Sequence, residues 1–124
     1  RLGNLSPTRD LNYVANTVDG FLAAAEASPA AIGKTFNLGT GREISVGDLA
    51  ELIARLMSRP LEIEDEAGRV RVSGSEVERL VADSSLAREL LGWEPRLNLE
   101  EGLEQTITWI QEHLDFYRPG LYAL

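Results

Sequence analysis

Apolar residues recur at helical spacing in four separate places, and each run is shut off by proline, glycine or a capping residue before it grows long. A chain punctuated in this way cannot form a coiled coil or a long bundle. It must fold as short helices joined by short extended pieces. Val14, Val18, Phe21, Leu22 and Ala25 predict a helix over residues 14–26, ended near "SPAAIG". Ser45 followed by Asp48 approximates a capping box and opens a second helix, whose Val46, Leu49, Leu52, Ile53, Leu56 and Met57 share one face until Pro60 stops it. Asp83 or Ser84 can cap a third helix over residues 86–91; Gly92 fits its C′ position and Pro95 prevents its resumption. Asn98 with Glu101 starts a fourth, with Leu99, Leu103, Ile107, Ile110 and Leu114 on one face and Glu100, Glu101 and Glu104 at the positive N-terminal end, running to about residue 116.

Between these helices the chain is read as extended or turn-like. A strand end is expected at residues 1–5. "SPTRD" reads as a turn and "LNYV" as a short extended segment, and "TFNLG" is a β-like run closed by "TGRE". "LEIEDE" alternates apolar and acidic residues and suits a half-buried strand with Glu62 and Glu64 outward. Residues 67–76 form a polar loop, and "YRPGLYAL" is a turn-like tail. Helices and strands mixed in this order indicate an α/β or α+β piece. No repeat or flexible linker divides the 124 residues, which read as one domain.

Composition removes several function classes. Without cysteine there is no disulfide, thiolate nucleophile or Cys-based zinc site. The formal charge of −8 opposes nucleic-acid binding, which needs a basic surface. No run approaches the roughly 18 apolar residues of a membrane span, and the opening residues lack a signal-peptide pattern, so the cytoplasm is the expected location. On so acidic a chain, an anionic small ligand would have to be held by a local group of arginines.

The candidate chemistry is narrow. The lone His113 lies between core-facing Ile110 and Leu114 and reads as a helix surface residue; it does not support a Ser-His-Asp assembly. Alternation puts Glu62, Glu64, Asp65 and Glu66 on different faces, which favours a solvated edge over a metal or acid-base site. "GTG" at residues 39–41 follows a β-like run but lacks the third glycine of a dinucleotide fingerprint and the ending of a P-loop, so a tight turn is the favoured reading. Arg9, at the end of a Pro-containing turn, and Arg69 and Arg71, in the polar loop, carry planar forks suited to phosphate oxygens. An arginine beside an acidic residue is nonetheless more often a surface ion pair.

Five segments in order take the reading further. "GN" through "RDLNYV", "FNLGTG", "SVGDLAELI", "RVRVSGSEVERLVADSSLARELLGWEP" and "LEEGLEQTITW" together resemble the C-terminal part of extended short-chain dehydrogenase/reductases. Within that superfamily they are most similar to NAD-dependent nucleotide-sugar 4,6-dehydratases and epimerases, with the later segments tilting toward the dehydratases. The resemblance implies a nucleotide-diphosphate sugar as partner. It gives Arg9 and Arg71 as the two arginines that grip the diphosphate and Glu76 as the carboxylate that accepts hydrogen bonds from the ribose. It also implies that residues 1–45 pack on or complete a dinucleotide-binding sheet. Val72, Asn16 and Leu86 stand where the family commonly has Pro, Asp and Lys.

The family's Gly-rich strand-turn-helix and its Tyr-x-x-x-Lys pair do not occur here; the single lysine is Lys34. NAD is therefore expected in the intact parent and not on this chain. The chain by itself is expected to be an inactive nucleotide-sugar-binding part, with a free-standing binding module or a structural interaction domain as alternatives. Apolar faces left without the missing Rossmann half are expected to drive a homodimer or domain-swapped assembly.

Overall fold

A two-residue strand organises the sheet. The computed structural model describes residues 2–64 and 77–117. Among them, β1 (Thr8–Arg9) lies between β2 (Ile44–Ser45), which is antiparallel to it, and β3 (Arg79–Leu80), which is parallel. Thr8 faces Ser45 on one side and Arg79 on the other, and Arg9 faces Ile44 and Leu80. The Thr8 and Asp10 amides donate to the carbonyls of Glu78 (2.8 Å) and Leu80 (2.9 Å), while the Pro7 carbonyl accepts from Val46.

The strands do not fall where β-propensity placed them. "SPTRD" is the sheet centre instead of a turn. Pro7, fully buried, sits just ahead of the strand, where its missing N–H costs no ladder bond. Residues 35–39 carry no strand, although "TFNLG" has the composition of one, because a strand exists only where a second backbone pairs with it. No strand is assigned at residues 61–64 either, but the Leu2 amide reaches the Glu64 carbonyl at 3.2 Å. Glu62 and Glu64 are exposed and Ile63 half-buried, as alternation predicts, while Asp65 and Glu66 lie outside the described residues.

All four helices form about where periodicity placed them: α1 (Val14–Ala25), α2 (Val46–Leu56), α3 (Ser85–Leu91) and α4 (Leu99–Glu112); α2 ends ahead of Pro60, with Ser58 at φ 51, and α4 stops four residues short of 116, giving way to a 3-10 turn at Leu114–Phe116. Ser45 accepts from the Asp48 amide at 3.0 Å and donates its hydroxyl proton to the Asp48 carboxylate. At α4 the capping box is complete, with Glu101 N to Asn98 Oδ1 at 2.9 Å and Asn98 N to Glu101 Oε2 at 2.8 Å. At α3 the two candidate caps divide, and the residue at the cap position makes no side-chain cap bond. Asp83 accepts from the amide and hydroxyl of Ser85, while Ser84 occupies the cap position and spends its hydroxyl on Gly39. Gly92 ends α3 at φ 62, a left-handed conformation that favours glycine.

The core gathers where α1, α3 and the start of α4 meet. Ala87 and Trp93 are buried, and the Trp93 indole donates to the Asn16 carbonyl at 2.9 Å. Asn16 itself is 1% exposed. Its Oδ1 accepts from the amides of Arg96 and Leu97, and its Nδ2 donates to the Leu97 carbonyl and to Asn12 Oδ1. The Gly-Trp-x-Pro stretch is thus framework: it ends α3, inserts an indole under α1 and leads into the cap of α4.

The outer face of α1 is different. Val14, Val18, Phe21 and Leu22 recur on one stripe and are all more than half exposed, Phe21 at 71%. Among the described residues, no helix is long and apolar enough to cross a membrane.

Candidate functional site

Successive residues of a strand point to opposite faces, so Thr8 and Arg9 separate, and the register carries Arg79 with Thr8 and Leu80 with Arg9. On the Thr8 face, Glu43 accepts from the Thr8 hydroxyl at 2.6 Å and from Arg79 Nε at 2.9 and 3.0 Å. The Thr8 hydroxyl first, and then Arg79, hold the Glu43 carboxyl below its ordinary value. The cluster is exposed and internally neutralised, which makes it a sheet-edge tie.

Arg9 lies on the other face, half-buried, with Nη1 donating to the Thr8 carbonyl at 2.7 Å. No carboxylate among the described residues forms an ion pair with it. In particular it is not paired with Asp10, the neighbour that made an ordinary surface ion pair the simpler reading.

Asp10 is fully engaged elsewhere. Its Oδ1 accepts from the Thr40 amide (2.9 Å) and hydroxyl (2.6 Å), and its Oδ2 from the amides of Gly41 (2.9 Å) and Ala82 (3.2 Å). Partial burial works to raise its pKa, but the Thr40 hydroxyl and the three amides outweigh it and hold the carboxyl below its ordinary value. The "GTG" turn is therefore an anion cradle that the protein fills with its own carboxylate. Its Thr40 and Gly41 amides do not suit an NAD pyrophosphate, since Asp10 already takes them.

Gly39 makes this approach possible. A Cβ there would collide with Ala82 Cβ and come within 2.6 Å of Asp10 Oδ2, and both its N and O are bonded to Ser84 Oγ. Gly39→Ala is expected to destabilise the chain by about 2–3 kcal/mol, because the Ala82 methyl on one side, fixed to its backbone, and the Asp10 carboxylate on the other cannot move apart without breaking the cradle. The shift in urea midpoint checks this.

Of the three residues expected to touch ligand, only Arg9 falls among the described residues; Arg71, Glu76 and the loop that carries them lie outside, as does Arg69. Arg9 itself lines none of the three clefts described, although its register partners Ile44 and Leu80 each border one, the latter in a cleft of about 470 Å³ shared with Asp10 and Ala82. One of about 380 Å³ mixes Arg42 and Arg96 with Glu43, Glu100 and Glu101, and an apolar one of about 340 Å³ lies between Tyr13, Val14, Leu99 and Leu103. No group of acidic or His side chains among the described residues is arranged to hold a metal ion. His113 takes its expected surface role, its Nδ1 2.7 Å from the Trp109 carbonyl and its ring stacked on the Trp109 indole at 4.3 Å.

Reading residues singly missed Asp10 and Asn16. Asp10 was visible only as a neighbour of Arg9, and Asn16 only as a departure from a pattern. Nothing local shows that, Asn12 apart, the hydrogen-bond partners of both lie 30 to 81 positions away along the chain.

Comparison with known proteins agrees with the fold. The model of the GDP-mannose 4,6-dehydratase family matches residues 1–106, and the chain belongs to that family, among the extended short-chain dehydrogenase/reductases. It is 37% identical over 109 residues to the UDP-glucose 4-epimerase of Mycolicibacterium smegmatis, covering 88% of this chain and 33% of that one. The UDP-glucose 4-epimerase of Thermotoga maritima, solved with UDP-glucose, superposes with a TM-score of 0.80 at 32% identity, over 92% of this chain and 35% of that one. The UDP-glucuronic acid 4-epimerase of Bacillus cereus, solved with UDP-glucuronic acid and NAD, gives 0.76 at 25% identity, over 90% and 34%. The chain thus spans about a third of the length of the relatives it matches and corresponds to the C-terminal portion of their fold.

Proposed function

We propose that this chain is the nucleotide-sugar-binding part of an NAD-dependent epimerase or 4,6-dehydratase, with Arg9 and Arg71 gripping the diphosphate and Glu76 accepting from the ribose. The observation that carries this reading is the state of Arg9: a half-buried guanidinium at the centre of a sheet, with no ion-pair partner among the described residues, beside an aspartate whose charge is satisfied elsewhere. On a chain of net charge −8, an arginine without a carboxylate partner among the described residues is suited to an external anion. Relatives solved with UDP-sugars are in keeping with a nucleoside diphosphate as that anion.

The exposed stripe of α1 fits the companion proposal that residues 1–45 pack on a dinucleotide-binding sheet, which would also supply the NAD site and the reacting groups. Without that cover the stripe favours self-association of the chain, and the chain alone does not turn over substrate. In the protein that carries both parts, Arg9→Ala or Arg71→Ala is expected to weaken nucleotide-sugar binding by about 2–5 kcal/mol, since each leaves phosphate charge desolvated and unpaired. Calorimetric titration with UDP-glucose and with GDP-mannose checks this, and wild-type affinity in both variants would remove the assignment.

A further inference from the structure

We propose that Asp10 is a positioning residue for Arg9: by clamping the end of β1 into the 39–41 turn and onto the Ala82 amide, it fixes where Arg9 presents its guanidinium to a diphosphate. This rests on the nucleotide-binding reading above and deepens it.

Three features support it. First, Asp10 is adjacent to Arg9 in sequence but anchored in the opposite sense, with four donors from two separate segments converging on its carboxylate. Second, the anchor is braced in turn, because Ser84 holds Gly39 through both its amide and its carbonyl, at 3.0 and 2.9 Å. Third, the backbone at Asp10 is tied to β3 through the Leu80 carbonyl, so one residue links β1, the glycine turn and the exit of β3. An arginine on a two-residue strand has little ladder to hold it; the clamp provides what the strand is too short to give.

Asn is the same size as Asp but must turn an NH2 toward N–H donors on one side, which opens the clamp there. The sign of the outcome is diagnostic. If Asp10 acted only through its charge, Asp10→Asn would remove a negative group near a bound anion and strengthen binding. A positioning role predicts weaker binding, because a displacement of about 1 Å at a bidentate arginine can cost on the order of a hundredfold in function.

The test is a double-mutant cycle of Arg9→Ala and Asp10→Asn in the protein that carries both parts, titrated with UDP and with GDP, with folding followed by circular dichroism. Asp10→Asn is expected to weaken binding by about tenfold when Arg9 is present and by less than about twofold when it is Ala. Should Asp10→Asn unfold the chain, Thr40→Val, which removes one donor and keeps the carboxylate, is put through the same cycle, with a smaller loss expected that again vanishes without Arg9. Unchanged or tighter binding, or equal losses in the two backgrounds, overturns the positioning role and leaves the nucleotide-binding reading standing. A folded wild-type protein carrying both parts that binds neither nucleotide overturns both.

Discussion

Asn16→Leu is expected to destabilise the chain by about 4 kcal/mol, the largest single loss outside the apolar core. The substitution strips partners from the part-buried amides of Arg96 and Leu97 and from the Leu97 carbonyl, all of which converge on a side chain that is itself 1% exposed. It also disturbs the α1 turn whose Asn16 carbonyl accepts from the Trp93 indole. Asn16→Asp, the residue common in the family, should cost less, about 1–2 kcal/mol, because a carboxylate keeps both acceptor roles and loses only the donations to the Leu97 carbonyl and to Asn12 Oδ1. Urea unfolding of the three proteins checks the order. An Asn16→Leu chain as stable as wild type would show that the junction between α1 and the 92–98 segment is held by packing alone.

Acid should reveal the second large effect. Asp10 has a native pKa below its ordinary 3.8, so the native state binds its proton less readily than the unfolded chain does. A carboxyl depressed in this way stabilises the fold fully above its unfolded value and loses that contribution as pH falls through the lowered native value. Asp10→Ala, which leaves the Thr40, Gly41 and Ala82 amides without their acceptor, is therefore expected to cost about 2–3 kcal/mol near neutrality. The gap from wild type should stay level down to about pH 5 and narrow below the unfolded pKa. Glu43 and Asp83 are also depressed, by the Thr8 hydroxyl and by Ser85 respectively, so the whole protein weakens in acid. The difference between wild type and variant isolates Asp10, and a gap that did not narrow would assign its role to shape instead of charge.

Much of the local structure was legible in the residues. The four helices and the complete cap at Asn98 follow from spacing and from side chains that satisfy amides three positions away, interactions short enough for a pattern to contain. Gly92 and Pro95 likewise act on their own backbone. The outward Glu62 and Glu64 followed from alternation. The strands did not follow, because each is only two residues long and their partners are far off: β1 pairs with residues near 45 and near 79. "SPTRD" has the composition of a turn and became the sheet centre, while "TFNLG" has the composition of a strand and pairs with nothing among the described residues.

The site divides in the same way. Arg9 could be singled out by its ordered surroundings of motifs, but whether Asp10 pairs with it depended on where Asp10 sends its carboxylate. The sequence by itself determined the helices, their starts and the glycine stop of α3, and the family pattern, since these rest on contacts within a turn or two of chain. Only the tertiary structure decided that the glycine turn is filled by Asp10, that Asn16 closes the core and that α1 turns an apolar stripe outward. Each of these is a meeting of segments tens of residues apart, and a buried polar group or an exposed apolar one acquires its energetic meaning only from what the fold brings beside it.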